Sequence, residues 1–254
     1  MKPIDRRAAL RAGAAAALAG ALTTACGTTP RPAAPPPRRP AAAPVAAPAP
    51  RRLPGQPAEI AHGPRDRPRV ALTFHGQGDP ALARTLLGQA EKAGARVTVL
   101  AVGSWLDQHP DLARRVLDGG HDLGNHTQRH IDVNAMTETE ALAEIEACAT
   151  RLRRLTGSIG TWFRPSRTQH AAPAVLRAAQ RAGYPHVLSY DVDSLDFTSP
   201  GATAVVRNVT GSVRAGSVVS LHFGYPDTAA ALPLLLADLD RRGLRAVTTT
   251  ELLT

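Results

Sequence analysis

The stretch "ALTFHGQGDP", Ala71 to Pro80, begins as an apolar run and ends in polar residues and two glycines. Its apolar half predicts a buried strand, and the Asp79–Pro80 pair predicts the start of a helix. In parallel α/β folds the catalytic side chains lie where strands end and loops begin. His75 and Asp79 lie in that position. The stretch is therefore either the edge of a reaction centre or a strand followed by an ordinary glycine-rich turn.

The same order of elements continues along the chain after this stretch. Apolar runs such as "RVTVLAV" (residues 96–102) and "SVVSLHF" (residues 217–223) alternate with helical segments such as "ALAEIEACATRLRRL" (residues 141–155). About seven β–α units between residues 69 and 254 predict a parallel sheet with helices outside. The predicted fold is a distorted (β/α)7-type barrel, and an open doubly wound parallel sheet is the alternative.

The first 26 residues have the features of an export signal. Arg6 and Arg7 precede a run of small and apolar residues, Ala12 to Leu22, that is too short to span a bilayer as a stable anchor. The paired arginines resemble a twin-arginine signal, and an ordinary secretion signal is the alternative. The "LTTAC" that follows resembles a bacterial lipobox, so we predict a lipid anchor on Cys26, with simple secretion as the alternative.

Residues 27–68 consist mainly of proline, alanine and arginine and contain few large apolar side chains. Such a segment buries too little surface to offset the entropy of ordering it, which predicts a disordered tether. The predicted catalytic domain is then residues 69–254.

The formal net charge of +9 comes mainly from the N-terminal part of the chain. Residues 1–63 hold nine basic and two acidic side chains, whereas residues 64–254 hold 21 and 19. The domain itself is therefore nearly neutral, and a basic groove for nucleic acid is not predicted.

Polar side chains that are candidates for chemistry follow the predicted strands. They are His75 after "ALTF", Arg164 after "TWF", Asp191, Asp193 and Asp196 after "VLSY", His222 after "VVSL", and His126 and His130 in "GHDLGNHTQRH".

The two histidines of "HTQRH", His126 and His130, are four residues apart. If this stretch begins a helical turn, both rings project from one face and can bind one metal. Two imidazoles suit Zn²⁺, with Co²⁺ or another transition ion as alternatives. A third ligand with an oxygen donor would leave positions open for water and substrate, so we predict a divalent metal cofactor.

Five segments resemble, in the same order, the motifs of the polysaccharide deacetylase family, the NodB-type carbohydrate esterases. "LTFHGQGDP" stands where the family has a TFDDGP-like strand end, and "HDLGNHTQRH" where it has an H-[ST]-x-x-H metal motif. "FRPS", "YDVDSLDF" and "SLHFG" stand for the RxP, DxxDW and LH motifs. The resemblance covers most of residues 69–254 and implies the barrel fold. It also implies hydrolysis of N-acetyl or O-acetyl groups on a polysaccharide such as peptidoglycan or a chitin-like polymer.

The resemblance also implies roles for individual residues. A metal held by the two histidines of "HTQRH" would bind both the acetyl carbonyl and the attacking water. His222 would protonate the leaving amine, which requires a group able to carry a proton near neutral pH. Asp193 or Asp196 would orient His222, and Arg164 would brace the catalytic base or the substrate.

The first motif departs from the family pattern, because His75 and Gly76 replace its two adjacent carboxylates. In one account the glycine-containing loop bends so that Asp79 binds the metal while His75 acts as the base. In a second account His75 completes a three-histidine metal site and Asp79 is the base. In a third account the site is degraded and binds glycan without cleaving it.

The sequence thus predicts an extracytoplasmic, metal-dependent deacetylase of a cell-wall or other polysaccharide. A catalytically impaired glycan-binding protein of the cell envelope and a metal-dependent amidase acting on a non-sugar amide are the alternatives. The predicted partners are the polysaccharide and, through the lipid on Cys26, a membrane.

Overall fold

The computed structural model describes the chain from Ala47 to Thr254. The predicted export signal (residues 1–26) with its lipidation site Cys26, and the first part of the predicted tether (residues 27–46), lie outside the described residues.

Short strands rich in β-branched and other apolar residues alternate with helices along the described chain. The strands are β1 (Glu59–Ile60), β2 (Arg69–Gly76), β3 (Thr98–Ala101), β4 (Asp122–Asn125), β5 (Val187–Leu188), β6 (Val192–Asp193), β7 (Val218–His222) and β8 (Arg245–Val247).

The helices begin and end largely where the sequence provides capping residues. They are α1 (Pro80–Lys92), α2 (Gly103–Gln108), α3 (Asp111–Asp118), α4 (Glu138–Thr156), α5 (Pro173–Arg181), α6 (Ala202–Thr210), α7 (Pro226–Arg241) and α8 (Thr249–Leu253). The longest, α4, begins with a capping box of Thr137 and Glu140 and ends at Gly157, which has a φ of 81°.

Every pairing between the strands of the described chain is parallel. The main sheet has the order β4-β3-β2-β7-β6, and β8 pairs with the first residues of β2. Parallel strands must be joined by crossover helices, which cover the sheet and bury its apolar residues. The predicted α/β class with a parallel sheet is therefore confirmed.

Isolated bridges connect this sheet to the pair of β1 and β5. Phe163 bridges Asn125 at the end of β4 and Val187 in β5, and β5 pairs with β1. His62, just after β1, bridges Ser217, just before β7. The pairings therefore run in a closed circuit from β7 through β2, β3, β4, β5 and β1 back to β7. This circuit has the connectivity expected of the predicted distorted barrel.

The strand predicted before Arg164 is shorter than the sequence suggested. The segment "TWFRP" contributes only the bridge at Phe163. After β8, the chain forms helix α8, because Thr248 and Glu251 make a second capping box.

The predicted disordered tether over residues 27–68 needs correction in its last part, because residues 47–68 lie against the barrel. Ile60 is buried in β1, and the guanidinium of Arg65 forms an ion pair with Asp191 at 2.7 Å. Composition was misleading because main-chain hydrogen bonds and a few buried side chains order this segment. The described chain contains no helix that meets the length and hydropathy needed to cross a membrane.

Strand β4 runs unusually close to the segment before Phe163. A Cβ on Gly124 would lie 2.5 Å from the carbonyl oxygen of Trp162, whereas one on Gly88 in α1 would meet nothing within 4 Å. We expect Gly124→Ala to lower the free energy of unfolding by about 1–3 kcal/mol. The matched change Gly88→Ala should raise it by about 0.4–1 kcal/mol. Urea unfolding measures both, and an unchanged Gly124→Ala protein would contradict this close approach.

Candidate metal and catalytic site

The candidate residues meet at the carboxyl ends of neighbouring strands. His75, near the end of β2, is in register with His222, the last residue of β7. His126 follows β4 directly, and Arg164 follows the bridge at Phe163. The barrel therefore places at one rim the side chains that the sequence spreads over about 150 residues.

Three histidines converge at this rim. One nitrogen from each of His75, His126 and His130 lies within 4.8 Å of the others. The ring centroids of His75 and His126 are 4.3 Å apart, and those of His126 and His130 are 4.9 Å apart. Such spacing allows all three imidazoles to reach one metal ion.

A left-handed bend, and not a helical turn, brings His126 and His130 together. Thr127 and His130 both have positive φ values, 66° and 55°. The side chain of Asn125 accepts a hydrogen bond from the backbone N–H of Thr127 at 2.9 Å. The Thr127 hydroxyl accepts one from the N–H of His130 at 3.2 Å. These contacts hold a backbone conformation that residues other than glycine rarely adopt.

His126 has an unpaired nitrogen suited to a metal. Its Nδ1 donates to the carbonyl oxygen of Arg164 at 2.9 Å, so Nε2 carries the lone pair. This Nε2 is buried and has no hydrogen-bond partner. A carbonyl acceptor on the opposite nitrogen is the arrangement that usually orients a metal-binding histidine. Buried polar atoms normally have a partner, so the unpaired Nε2 of His126 indicates a metal ligand and not a histidine that only packs in the core.

The environment keeps these imidazoles uncharged. Burial lowers the pKa of His75 and of His126 well below the ordinary value of an imidazole. Burial and the positive charge of Arg167 lower the pKa of His130 to about 4. Neutral imidazole is the form that binds metals, so little proton competition is expected at neutral pH.

His75 differs from the other two because it faces a buried arginine. Arg164 is fully buried; its Nη1 donates to Thr73 Oγ1 at 2.8 Å and to His75 Nε2 at 3.2 Å. A guanidinium can only donate, so the lone pair of Nε2 points at Arg164 and the proton of neutral His75 is on Nδ1. Coordination through Nδ1 would therefore require this contact to rearrange, which His126 does not require.

Asp79 is not brought into the three-histidine group. It is exposed and caps helix α1, where its carboxylate accepts a hydrogen bond from the N–H of Ala81 at 2.7 Å. The proline at the first helical position fixes this cap. The structure therefore does not place Asp79 as a metal ligand. The side chain that lies beside His126 is that of His75.

Asp196 holds His222, and Asp193 does not. The buried carboxylate of Asp196 contacts Nδ1 of His222 at 2.6 Å and accepts hydrogen bonds from the backbone N–H of His222 and from the Thr228 hydroxyl. Because Asp196 contacts Nδ1, the other ring nitrogen of His222, Nε2, takes no part in this interaction. The carboxylate of Asp193 lines the open cleft instead, and Asp191 pairs with Arg65.

A cleft of about 370 Å³ opens over the histidines. Residues outside the predicted set also line it, among them Gln77, Arg167, Thr168, Gln169, Tyr190 and Tyr225. Arg167, Thr168 and Gln169 directly follow the "FRPS" segment. Their position after this motif was the sequence signal that could have placed them in the cleft. Phe197, which stands where the family has tryptophan, also lines this cleft and is 46% exposed. A larger groove between α1 and α7 contains none of the candidate catalytic residues.

Comparison with known proteins agrees with the fold and with the family that the motifs resemble. A family model described as polysaccharide deacetylase matches residues 62–187. A peptidoglycan-N-acetylglucosamine deacetylase of Bacillus cereus is 30% identical over 194 residues, which is 75% of this chain and 90% of the relative. A chitooligosaccharide deacetylase of Bradyrhizobium is 29% identical over 197 residues, which is 68% of this chain and 85% of that relative. The chain therefore belongs to the polysaccharide deacetylase family.

A solved structure adds a relevant neighbour. A protein described as a CE4 family pseudoenzyme from Bacillus anthracis has a TM-score of 0.72 and 22% sequence identity, covering 78% of this chain and 70% of that one. At this identity the likeness concerns the fold, and it agrees with the predicted NodB-like architecture.

Proposed function

We propose that the protein is a metal-dependent hydrolase that removes acetyl groups from an N-acetylated polysaccharide. The observation that carries the proposal is the unpaired, buried Nε2 of His126 beside His75 and His130. The relatives named as peptidoglycan and chitooligosaccharide deacetylases support the same reaction.

The metal would be held by His126 and His130, and the imidazole of His75 lies beside them. A divalent ion bound there supplies Lewis-acid polarisation of the acetyl carbonyl and acidifies water. Imidazole donors favour Zn²⁺, and Co²⁺ also suits them.

The pair of Asp196 and His222 would handle the proton of the leaving amine. Because Asp196 binds Nδ1 of His222, Nε2 is directed toward the cleft and can hold or donate a proton there. Asp196 is a positioning residue, since it acts only through His222. Arg164, fixed by the carbonyl oxygens of Leu188 and Ser189, holds position 75 in place.

A second candidate function is glycan binding with little or no hydrolysis. The observation that favours it is the hydrogen bond from Arg164 to His75, because the only lone pair of the neutral ring is then engaged. A carboxylate in this position could accept a hydrogen bond from Arg164 with one oxygen and a proton from water with the other. The neutral imidazole of His75 has one lone pair and cannot do both.

Acetate release tests the two candidates directly. We expect the zinc-loaded protein to release acetate from peptidoglycan fragments or chitooligosaccharides and a chelator to stop the release. If the zinc-loaded protein releases no acetate but binds these glycans with an affinity that survives chelation, the enzyme proposal fails and glycan binding stands.

The His222→Gln variant separates proton transfer from metal binding. We expect it to lower the turnover rate by about 10²- to 10⁴-fold, because a positioned acid is lost. Its zinc content should stay that of the wild type, since His222 is not in the three-histidine group. Unchanged turnover would remove His222 from the mechanism, and loss of zinc would place it among the ligands.

We also propose that the protein is exported and that Cys26 carries a lipid. The basic residues, short apolar run and lipobox-like segment of the first 26 residues support this location. Mass spectrometry of the mature N-terminus tests it: an unmodified N-terminus elsewhere than Cys26 would contradict the anchor.

A further inference from the structure

Arg167 lies in the wall of the cleft, and its side chain has no partner among the residues that the structure describes. Its side chain is exposed and lines the same cleft as His130 and His222. It forms no hydrogen bond or ion pair with any residue from Ala47 to Thr254. Other arginines of the domain, such as Arg65 and Arg129, are paired with carboxylates. The guanidinium of Arg167 is therefore available to a ligand.

The loop that carries Arg167 is fixed on both sides. The Ser166 hydroxyl donates to the carbonyl oxygen of Ile131 at 2.5 Å, and the Asn134 amide donates to the Thr168 hydroxyl at 3.0 Å. Arg167 itself has a φ of 59°, a left-handed conformation that persists only where the contacts of the neighbouring residues enforce it. The position of its backbone is thus set before any ligand arrives, which reduces the entropy lost on binding.

The lining of the cleft becomes positive once a divalent ion is bound. It holds one arginine, Arg167, one carboxylate, Asp193, and three imidazoles, which carry no negative charge. An all-histidine donor set adds no negative charge to offset a divalent ion. The carboxylate of Asp193 lines the cleft but accepts the N–H of Leu195. Asp196 is buried against His222.

We propose that Arg167 binds a carboxylate of the substrate, so that the protein selects an acidic N-acetylated glycan over a neutral one. This inference rests on the proposed function, because it concerns the same cleft. A planar guanidinium matches a carboxylate with two parallel hydrogen bonds. The carboxylate belongs either to the sugar itself, as in a lactyl ether, or to a peptide attached to the sugar.

The test compares ligands that differ only in this charge. The probes are the disaccharide N-acetylglucosaminyl-N-acetylmuramic acid, its methyl ester, and the same disaccharide carrying a dipeptide with a free carboxylate. Calorimetry on the metal-free and the zinc-loaded protein gives their dissociation constants. The metal-free measurement separates the contribution of Arg167 from that of the ion.

We expect the acid to bind about tenfold more tightly than the ester at low salt, with a smaller ratio at high salt because Arg167 is exposed. Arg167→Gln should bring the ratio close to one while leaving the affinity for the ester unchanged. Arg167→Asn is the second variant, because asparagine tolerates the left-handed backbone. Arg207→Gln, a change at an exposed arginine of α6 outside the cleft, should keep the full ratio.

Three results overturn the inference: equal affinity for the ester, the acid and the dipeptide form, a preference for the charged ligands that survives in both Arg167 variants, or no measurable binding of either charged ligand. If only the dipeptide form binds more tightly than the ester, the carboxylate is that of the peptide. Acetate release separates this inference from the proposed function. Release without charge selection rejects only the role of Arg167, and charge-selective binding without release rejects only the hydrolase.

Discussion

Replacing His126 by asparagine is expected to remove zinc from the protein and to abolish acetate release. The asparagine amide can still donate to the carbonyl oxygen of Arg164, as Nδ1 of His126 does at 2.9 Å. What the change deletes is Nε2, the buried nitrogen without a partner. Loss of an outer-shell partner already weakens metal binding by about 10- to 100-fold, so loss of a ligand should exceed that. Titration with a competing chelator measures the zinc dissociation constant.

The matched control is His170→Asn. His170 is an exposed histidine whose ring contacts Glu59 rather than the three-histidine group. Its replacement should leave both zinc binding and acetate release as in the wild type. Zinc affinity that survives in His126→Asn would exclude this histidine as a ligand and with it the proposed metal centre.

Replacing His75 by aspartate is expected to raise acetate release by about 10²-fold. The neutral imidazole offers Arg164 its only lone pair, whereas a carboxylate can bind Arg164 with one oxygen and accept a proton with the other. A positioned general base contributes roughly 10²- to 10⁴-fold to turnover. The new carboxylate would also face Arg164, whose burial lowers its pKa to about 9. A buried guanidinium is stabilised by an opposite charge, so the melting temperature should not fall.

His75→Asn provides the control, because asparagine has the shape of aspartate without its charge. Equal gains from both changes would mean that size, and not a missing base, limits the wild-type protein. A lower rate in His75→Asp than in the wild type, together with weaker zinc binding, would show that His75 itself is the essential third ligand. Steady-state kinetics and zinc titration of the three proteins distinguish these outcomes.

The repeated β–α units and the strand ends could be predicted from the sequence because both depend on local patterns. The apolar runs that become β2 and β7 precede His75 and His222 directly, so these two side chains necessarily lie at the strand ends. The ordered segment before Arg69 could not be predicted in this way. Its stability comes from contacts with residues distant in sequence, such as the hydrogen bond from the N–H of Leu53 to His186.

The candidate site was predictable in its members more than in its geometry. The spacing of His126 and His130 indicated a shared metal, but the left-handed bend depends on the side chain of Asn125. The choice of Asp196 over Asp193 depends on which of the two carboxylates turns inward at the end of β6, and both fit the motif equally well. Asp79 looked like a substitute ligand, yet its place before Pro80 makes it a helix cap.

The strand pairing before Arg69 has a practical consequence for any shortened form of this protein. A fragment starting at Arg69 would lose β1 and expose the hydrogen-bonding edge of β5. It would also remove the N–H of Gly63 from the carbonyl oxygen of Gly216, a bond of 2.7 Å. An unpaired parallel edge is a template for association with another chain. Such fragments should self-associate, whereas those beginning at Ala47 keep the edge covered.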